Sequence, residues 1–189
     1  MAQVLKDDIR QRIYEAALIE FYEKDFLRAT MKDIASKADI PVGLIYSYYK
    51  NKAALFDDIV NSVAADIGRI LLEEEQQTGK PSENFKKVSE KSFLELLEDH
   101  MRVVVLMDKS KGTKHEHARD DLIKNIEAHI DAGLSKRSET KYDATFIHIL
   151  ASNFTESLLE IARHYKNKEW ATSMFNLVTK SYFEGVNSL

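Results

Sequence analysis

Apolar residues return every third or fourth position along most of this chain, and strict alternation of apolar with polar residues is almost absent. That period predicts helices rather than strands. Ile9, Ile13, Ala17 and Phe21 recur four apart, with Ala16, Leu18 and Tyr22 widening the stripe, and predict a first helix over about 6–24. Asp7 and Asp8 suit the positive end of its dipole. The pattern breaks across Asp25, Phe26, Leu27, Arg28 and Ala29. Thr30 then offers a hydroxyl cap with Asp33 three residues on. Met31, Ile34, Ala35 and Ala38 form one side of a short second helix. Pro41 ends it, because proline disfavours helical geometry at Ile40 and donates no backbone N–H.

The same proline suits the first position of a third helix, expected over 41–48. Its buried candidates are Ile45 and Tyr49, which leaves Val42, Gly43, Leu44, Ser47 and Tyr48 facing outward. Asn51 is expected to cap a long helix from Lys52 to about residue 77, with Leu55, Phe56, Ile59, Val63, Ile67, Ile70 and Leu71 as its stripe. Gly79, Lys80 and Pro81 make the sharpest break in the chain. Further helices are expected near 82–97, 99–107, 116–134, 142–165 and 169–186, with a hydrophilic loop at 109–114. The reading is all-α with about nine helices.

Length and composition narrow the classes. The 189 residues fit one domain, or a small one fused to a larger one. With the third helix ending near residue 50, the expected division is 1–51 and 52–189. The longest purely aliphatic run, from Val103 to Met107, is far short of the roughly 20 residues a membrane span needs. Met1 to Arg10 lacks the apolar centre of a secretory signal, so a cytoplasmic protein is expected. With no cysteine there are no disulfides, thiolate zinc sites or cysteine nucleophiles. The formal net charge is −4, yet residues 28–52 carry five bases (Arg28, Lys32, Lys37, Lys50, Lys52) against Asp33 and Asp39. One short block is basic on an otherwise acidic molecule.

Two short helices joined by a tight turn inside that block form a helix-turn-helix candidate. Ile34, Ala35, Ile40 and Ile45 would hold the second helix on the first, and small Ala35 and Ala38 permit a close crossing. Gly43 lets the backbone approach a phosphate or base edge. Tyr46, Tyr48 and Lys52 offer hydroxyl and ammonium donors at phosphate height. Periodicity and charge alone leave a plain amphipathic helix pair open as the alternative.

The residues from Ala29 to Leu55 carry more. A threonine, Ile-Ala two residues after Lys32, a turn ending at Val42, a glycine, the Ile45-Tyr46 pair, an aromatic at Tyr48 or Tyr49, Lys52 and Leu55 agree in type and spacing without gaps. This resembles the DNA-binding signature of the TetR/AcrR transcriptional regulators, and Ile13, Ala17 and Phe21 are similar to the family's first helix. The resemblance covers about residues 6–60. It implies an N-terminal three-helix helix-turn-helix domain followed by a larger helical ligand-binding and dimerisation domain. Position by position it implies Thr30, Tyr46, Tyr48 and Lys52 as phosphate contacts. It also implies Val42, Gly43 and Leu44 as the base-edge face, with Ser47 at its margin. Three positions depart from the family pattern: Asp25 stands where a glycine is usual, Pro41 replaces a serine cap, and Ala53 replaces a common glutamate. An apolar Val42-Gly43-Leu44 face suits thymine methyls and offers few bidentate hydrogen bonds, so part of the specificity is expected from DNA shape.

The resemblance further implies a homodimer on a palindromic operator, with the last two helices pairing across a two-fold axis. Those stripes are Ile147, Leu150, Ala151, Phe154, Leu158 and Ile161, then Met174, Phe175, Val178, Tyr182 and Val186. The middle helices mix apolar with isolated polar residues: Phe93, Met101, Met107, His129, Phe146, His148, Asn153 and Glu156 are candidate ligand-binding residues for a small, largely hydrophobic molecule. Plain core is the alternative for each of them. A ligand-responsive repressor is the expected function, and a regulator controlled by a protein partner is the alternative. His115-Glu116-His117 is no metal site, because residues two apart in a helix point about 200° apart. No phosphate loop or nucleophile elbow is present in the sequence, so neither an enzyme nor a cofactor is expected.

Overall fold

A computed structural model of the chain describes residues 2–75, 90–135 and 141–188. Nine helices lie in these residues and no strand. They are α1 (Ala2–Lys24), α2 (Met31–Lys37), α3 (Val42–Ile45), α4 (Lys52–Glu75), α5 (Glu90–Glu98), α6 (His100–Asp108), α7 (Ala118–Ser135), α8 (Ala144–Arg163) and α9 (Lys168–Asn187). The expected break at Gly79-Lys80-Pro81 and the start of the helix from residue 82 lie outside the described residues, as does the side chain of Leu71.

The apolar stripes explain the packing. Ile13, Ala17 and Phe21 of α1 meet Ile34 of α2, Ile45 of α3 and Leu55, Phe56 and Ile59 of α4, all fully buried. Phe21 and Phe26 both meet the Phe56 ring edge-on, with centroids 5.0 and 5.2 Å apart, the arrangement aromatic quadrupoles favour. Further along, α4 and α1 pack on α6, whose Val103–Met107 run is buried throughout. α6 in turn packs on α7 and α8, α8 on α7 and α9, and α9 on α5. The core is therefore continuous from the first three helices through α6 into the larger helical layer.

The ends of these helices are set locally. Thr30 accepts from Asp33 N at 3.1 Å, Asp143 from Thr145 N at 2.8 Å and Asn167 from Trp170 N at 2.8 Å. Two boundaries differ from expectation. Pro41 is the residue before α3 (φ −62°, ψ 135°) rather than its first turn. α3 closes at Ile45 rather than near residue 48, because the chain then winds tighter. Ser47 N and Tyr48 N donate to carbonyls three residues back, at 3.1 and 2.9 Å.

Candidate nucleic-acid interface

The turn between α2 and α3 is a complete Schellman motif. Ile40 N donates to Ala35 O at 3.1 Å and Asp39 N to Ser36 O at 3.2 Å, so the last carbonyls of α2 are satisfied. The motif needs a left-handed residue after the cap, and Asp39 takes that place at φ +53°. Asp25 is left-handed as well, at φ +81°, closing α1. Its carboxylate receives Arg28 N at 2.9 Å and Arg28 Nε at 2.8 Å. Burial pushes its pKa up, but these Arg28 bonds outweigh that and hold the acid below its ordinary range. An aspartate thus does there what a glycine does without strain.

Val42, Gly43 and Leu44 follow this turn directly and Tyr46, Ser47 and Tyr48 come next, whereas Thr30 caps the other end of α2 and Lys52 begins α4. Gly43 has open space where a side chain would stand, and Val42 and Tyr46 are 41% and 54% exposed. Ser47 is exposed too, while Leu44 and Tyr48 are only half-exposed. The three-residue winding after Ile45 explains Tyr48, which it places over Ile45 and against the core rather than outward. Tyr49, buried, donates to Asp58 Oδ2 at 2.7 Å, and Arg10 donates to the same carboxylate at 3.1 Å. This triad ties α1, the residues after α3, and α4 together.

Lys52, expected at phosphate height, is spent inside the fold. Lys52 Nζ donates to Phe26 O at 2.6 Å and Ala29 O at 2.8 Å, and sits 4.5 Å from the Phe26 ring centroid. Burial lowers its pKa, with Asp25 opposing. Ser47 Oγ donates to Leu44 O at 2.6 Å. Thr30 caps α2, and hydrogen bonds from Thr30 first and Lys24 second hold the Asp33 carboxyl below its usual range. Lys52 is a strut for the α1–α2 turn with at most one proton left to offer.

A loop after α6 joins this head to the rest. Phe26 N donates to Lys109 O at 3.0 Å. Gly112, at φ +84°, sits so close to Leu27 that a Cβ would come within 2.8 Å of its Cδ2. Asp57 of α4 pairs with His115 at 3.0 Å and with Lys114 at 2.9 Å. His117 lies exposed beside Glu116 and Asp120, on a different partner from His115. Among the described residues no group of His, Asp or Glu could hold a metal. Behind the loop, Arg163 grips Asp108 through two bonds of 2.8 and 2.9 Å and also binds Glu156, which Arg119 shares. Those carboxylates raise the Arg163 pKa against the effect of burial.

The eight ligand candidates differ in burial and in helix. Phe93 and Met107 are buried core, while Met101, His129 and Phe146 are half-buried on different helices. His148 is exposed and bonded to Glu127. Asn153 and Glu156 line an open groove of about 690 Å³ between α8 and α9. Its apolar walls are Ile161, Trp170, Met174 and Val178, which the sequence reading assigned to core or did not single out. Nor did any local signal point to the Asp57–His115 pair, which is 58 residues apart in sequence.

A helix-turn-helix head whose third helix leaves its N-terminal residues open, carried on a larger all-helical body, is the arrangement the chain presents. Residues 13–59 match the family model of bacterial regulatory proteins, tetR family. YxbF of Bacillus subtilis, named as an uncharacterized HTH-type transcriptional regulator, is 23% identical over 116 residues, 61% of this chain and 30% of that protein. The probable acrEF/envCD operon repressor of Escherichia coli is 30% identical over 95 residues, 50% of this chain and 41% of that protein. The chain spans less than half the length of these curated relatives. The solved SmeT–triclosan complex shares the fold at a TM-score of 0.62 and 20% identity, over 94% of this chain and 90% of that one. Residues 13–59 are thus similar to the regulatory domain of the tetR family, and the fold of the whole chain is that of the solved neighbour.

Proposed function

We propose that the protein is a dimeric transcriptional repressor that grips a palindromic operator and is released by a small, largely hydrophobic molecule. The observation that carries the DNA reading is the edge of exposed Val42 and Gly43 and half-exposed Leu44 behind a fully bonded helix-turn-helix turn. Residues 1–51 form the reading head and 52–189 the regulatory body. Val42, Gly43 and Leu44 meet base edges, with Tyr46 and Thr30 at the sugar-phosphate backbone.

Dimerisation is supported by α8 and α9. Ile149 and Leu177 are 48% and 60% exposed, and the groove between these helices continues past Asn153, Ser157, Val178 and Ser181. A two-fold pairing there would set two heads about 34–36 Å apart, or a multiple of it, on the duplex. Among the described residues no helix is long and apolar enough to cross a membrane. The SmeT–triclosan complex is the precedent for a hydrophobic effector on this fold.

For release, ligand would favour body arrangements that misplace the heads. A 100-fold loss of operator affinity requires about 2.7 kcal/mol of differential binding. The test is selection of bound sequences from random duplexes, followed by displacement with hydrophobic biocides and acyl compounds. A two-fold symmetric sequence and displacement by one compound class are expected. Enrichment of no duplex would overturn the DNA reading, and displacement only by a protein would overturn the ligand reading.

A further inference from the structure

Three of the five cations of the 28–52 block are engaged within the fold. Arg28 pairs with Asp25 at 2.8 Å, and Lys37 pairs with buried Glu20 and with Glu23 at 3.1 and 2.7 Å. Lys24 pairs with Glu20 and Asp33, Arg10 with Asp58, and Arg12 with the Ala38 and Asp39 carbonyls. Lys52 is held by two carbonyls. Among the described residues, Lys32 and Lys50 remain as exposed cations of the 28–52 block with no ion pair or hydrogen bond. They bracket the open edge in sequence: Lys32 follows Thr30 at the start of α2, and Lys50 follows the Tyr46–Tyr49 turn.

Their placement on the helices agrees. On α2, Met31, Ile34 and Ala35 face the core, and Asp33 and Lys37 reach back to α1 through Lys24, Glu20 and Glu23. Lys32 and Ser36, four residues apart and both exposed, share the flank turned away from α1. A cation bonded inside the fold must break those bonds to neutralise a phosphate. A solvated lysine gives up only water, and its contact releases a condensed counterion.

We infer that Lys32 and Lys50, rather than Lys52, are the phosphate clamps that seat the head on duplex DNA. This rests on the DNA-binding reading above. The clamps supply sequence-independent grip and register on either side of the apolar reading edge, which by itself has almost no charge to hold a polyanion.

The test measures binding of the full chain to a random-sequence 30-base-pair duplex by fluorescence anisotropy across potassium chloride concentrations. Wild type is compared with K32Q, K50Q, the double variant and K52Q. K124Q, an exposed body lysine on α7, controls for the change in net charge. Each clamp variant should flatten the log–log salt slope by about 0.9 per bound head, and the double variant by about twice that. Between 50 and 200 mM salt, each 0.9 corresponds to about a 3.5-fold smaller loss of affinity. K124Q should leave the slope unchanged, and K52Q should flatten it less than either clamp. Wild-type slopes in K32Q and K50Q would overturn the inference, as would a larger effect of K52Q, while the DNA reading would stand. Absence of any salt-dependent wild-type binding would instead overturn the DNA reading itself.

Discussion

Replacing Lys52 by Met isolates the strut from its charge, because the stem is kept and the ammonium is lost. Two charge-assisted hydrogen bonds disappear, to Phe26 O and Ala29 O, together with the contact over the Phe26 ring. Such bonds contribute about 1.5–3 kcal/mol each when enclosed. Lys52 is only partly buried, so water can replace part of what is lost, and dehydration of the ammonium is recovered. A net cost of about 2–3 kcal/mol is what remains after both discounts. For a chain of this size that lowers Tm by about 5–10 °C. Differential scanning calorimetry of K52M beside K50M reads it directly, since the exposed Lys50 should shift Tm by no more than about 2 °C. A K52M melting point within that same margin of wild type would refute the strut and return Lys52 to the solvent.

Asp39→Gly should raise Tm by about 2 °C, because relief of the left-handed backbone outweighs the entropy a glycine adds to the unfolded chain and the loose Arg12 contact is negligible; thermal melts decide it. Gly112→Val should weaken the joint between loop and head, since a β-branched residue at φ +84° is strained and strikes Leu27, and faster hydrogen exchange at Phe26 N would report it. Asp33, Asp143 and Glu160 are held below their ordinary pKa by hydrogen bonds, and Asp25 by Arg28 against burial. Their stabilisation is complete above the usual carboxylate range and lost as pH falls below about 4, so denaturant midpoints should drop there. Leu177→Glu should shift the protein to a smaller species in sedimentation, with an unchanged helical spectrum.

The helices and the head were legible because their signals are local. Thr30, Pro41, Asn51 and the four-residue spacing of Ile13, Ala17 and Phe21 act within one or two turns, so the sequence states them directly. The chemistry of Lys52 was not legible. Type and spacing marked it as a phosphate donor, and only the fold brings two carbonyls 23 and 26 residues away to its ammonium. Charge counting failed in the same way: the block is net basic along the chain, yet Glu20 and Glu23 from outside it neutralise Lys37. The sequence left the ligand candidates open between core and pocket, because Met and aromatics at helical spacing read alike in both. Glu156 was singled out for polarity inside an apolar run, which its two arginine partners satisfy.

Gly112 pressed on Leu27, and Phe26 bonded to Lys109, make the first three helices something other than a detachable module. A chimera that transplants residues 1–51 onto a foreign body would break these seams unless the recipient's counterpart to the 109–117 loop were exchanged with them. Grafting both segments together is the smallest swap that carries an intact joint.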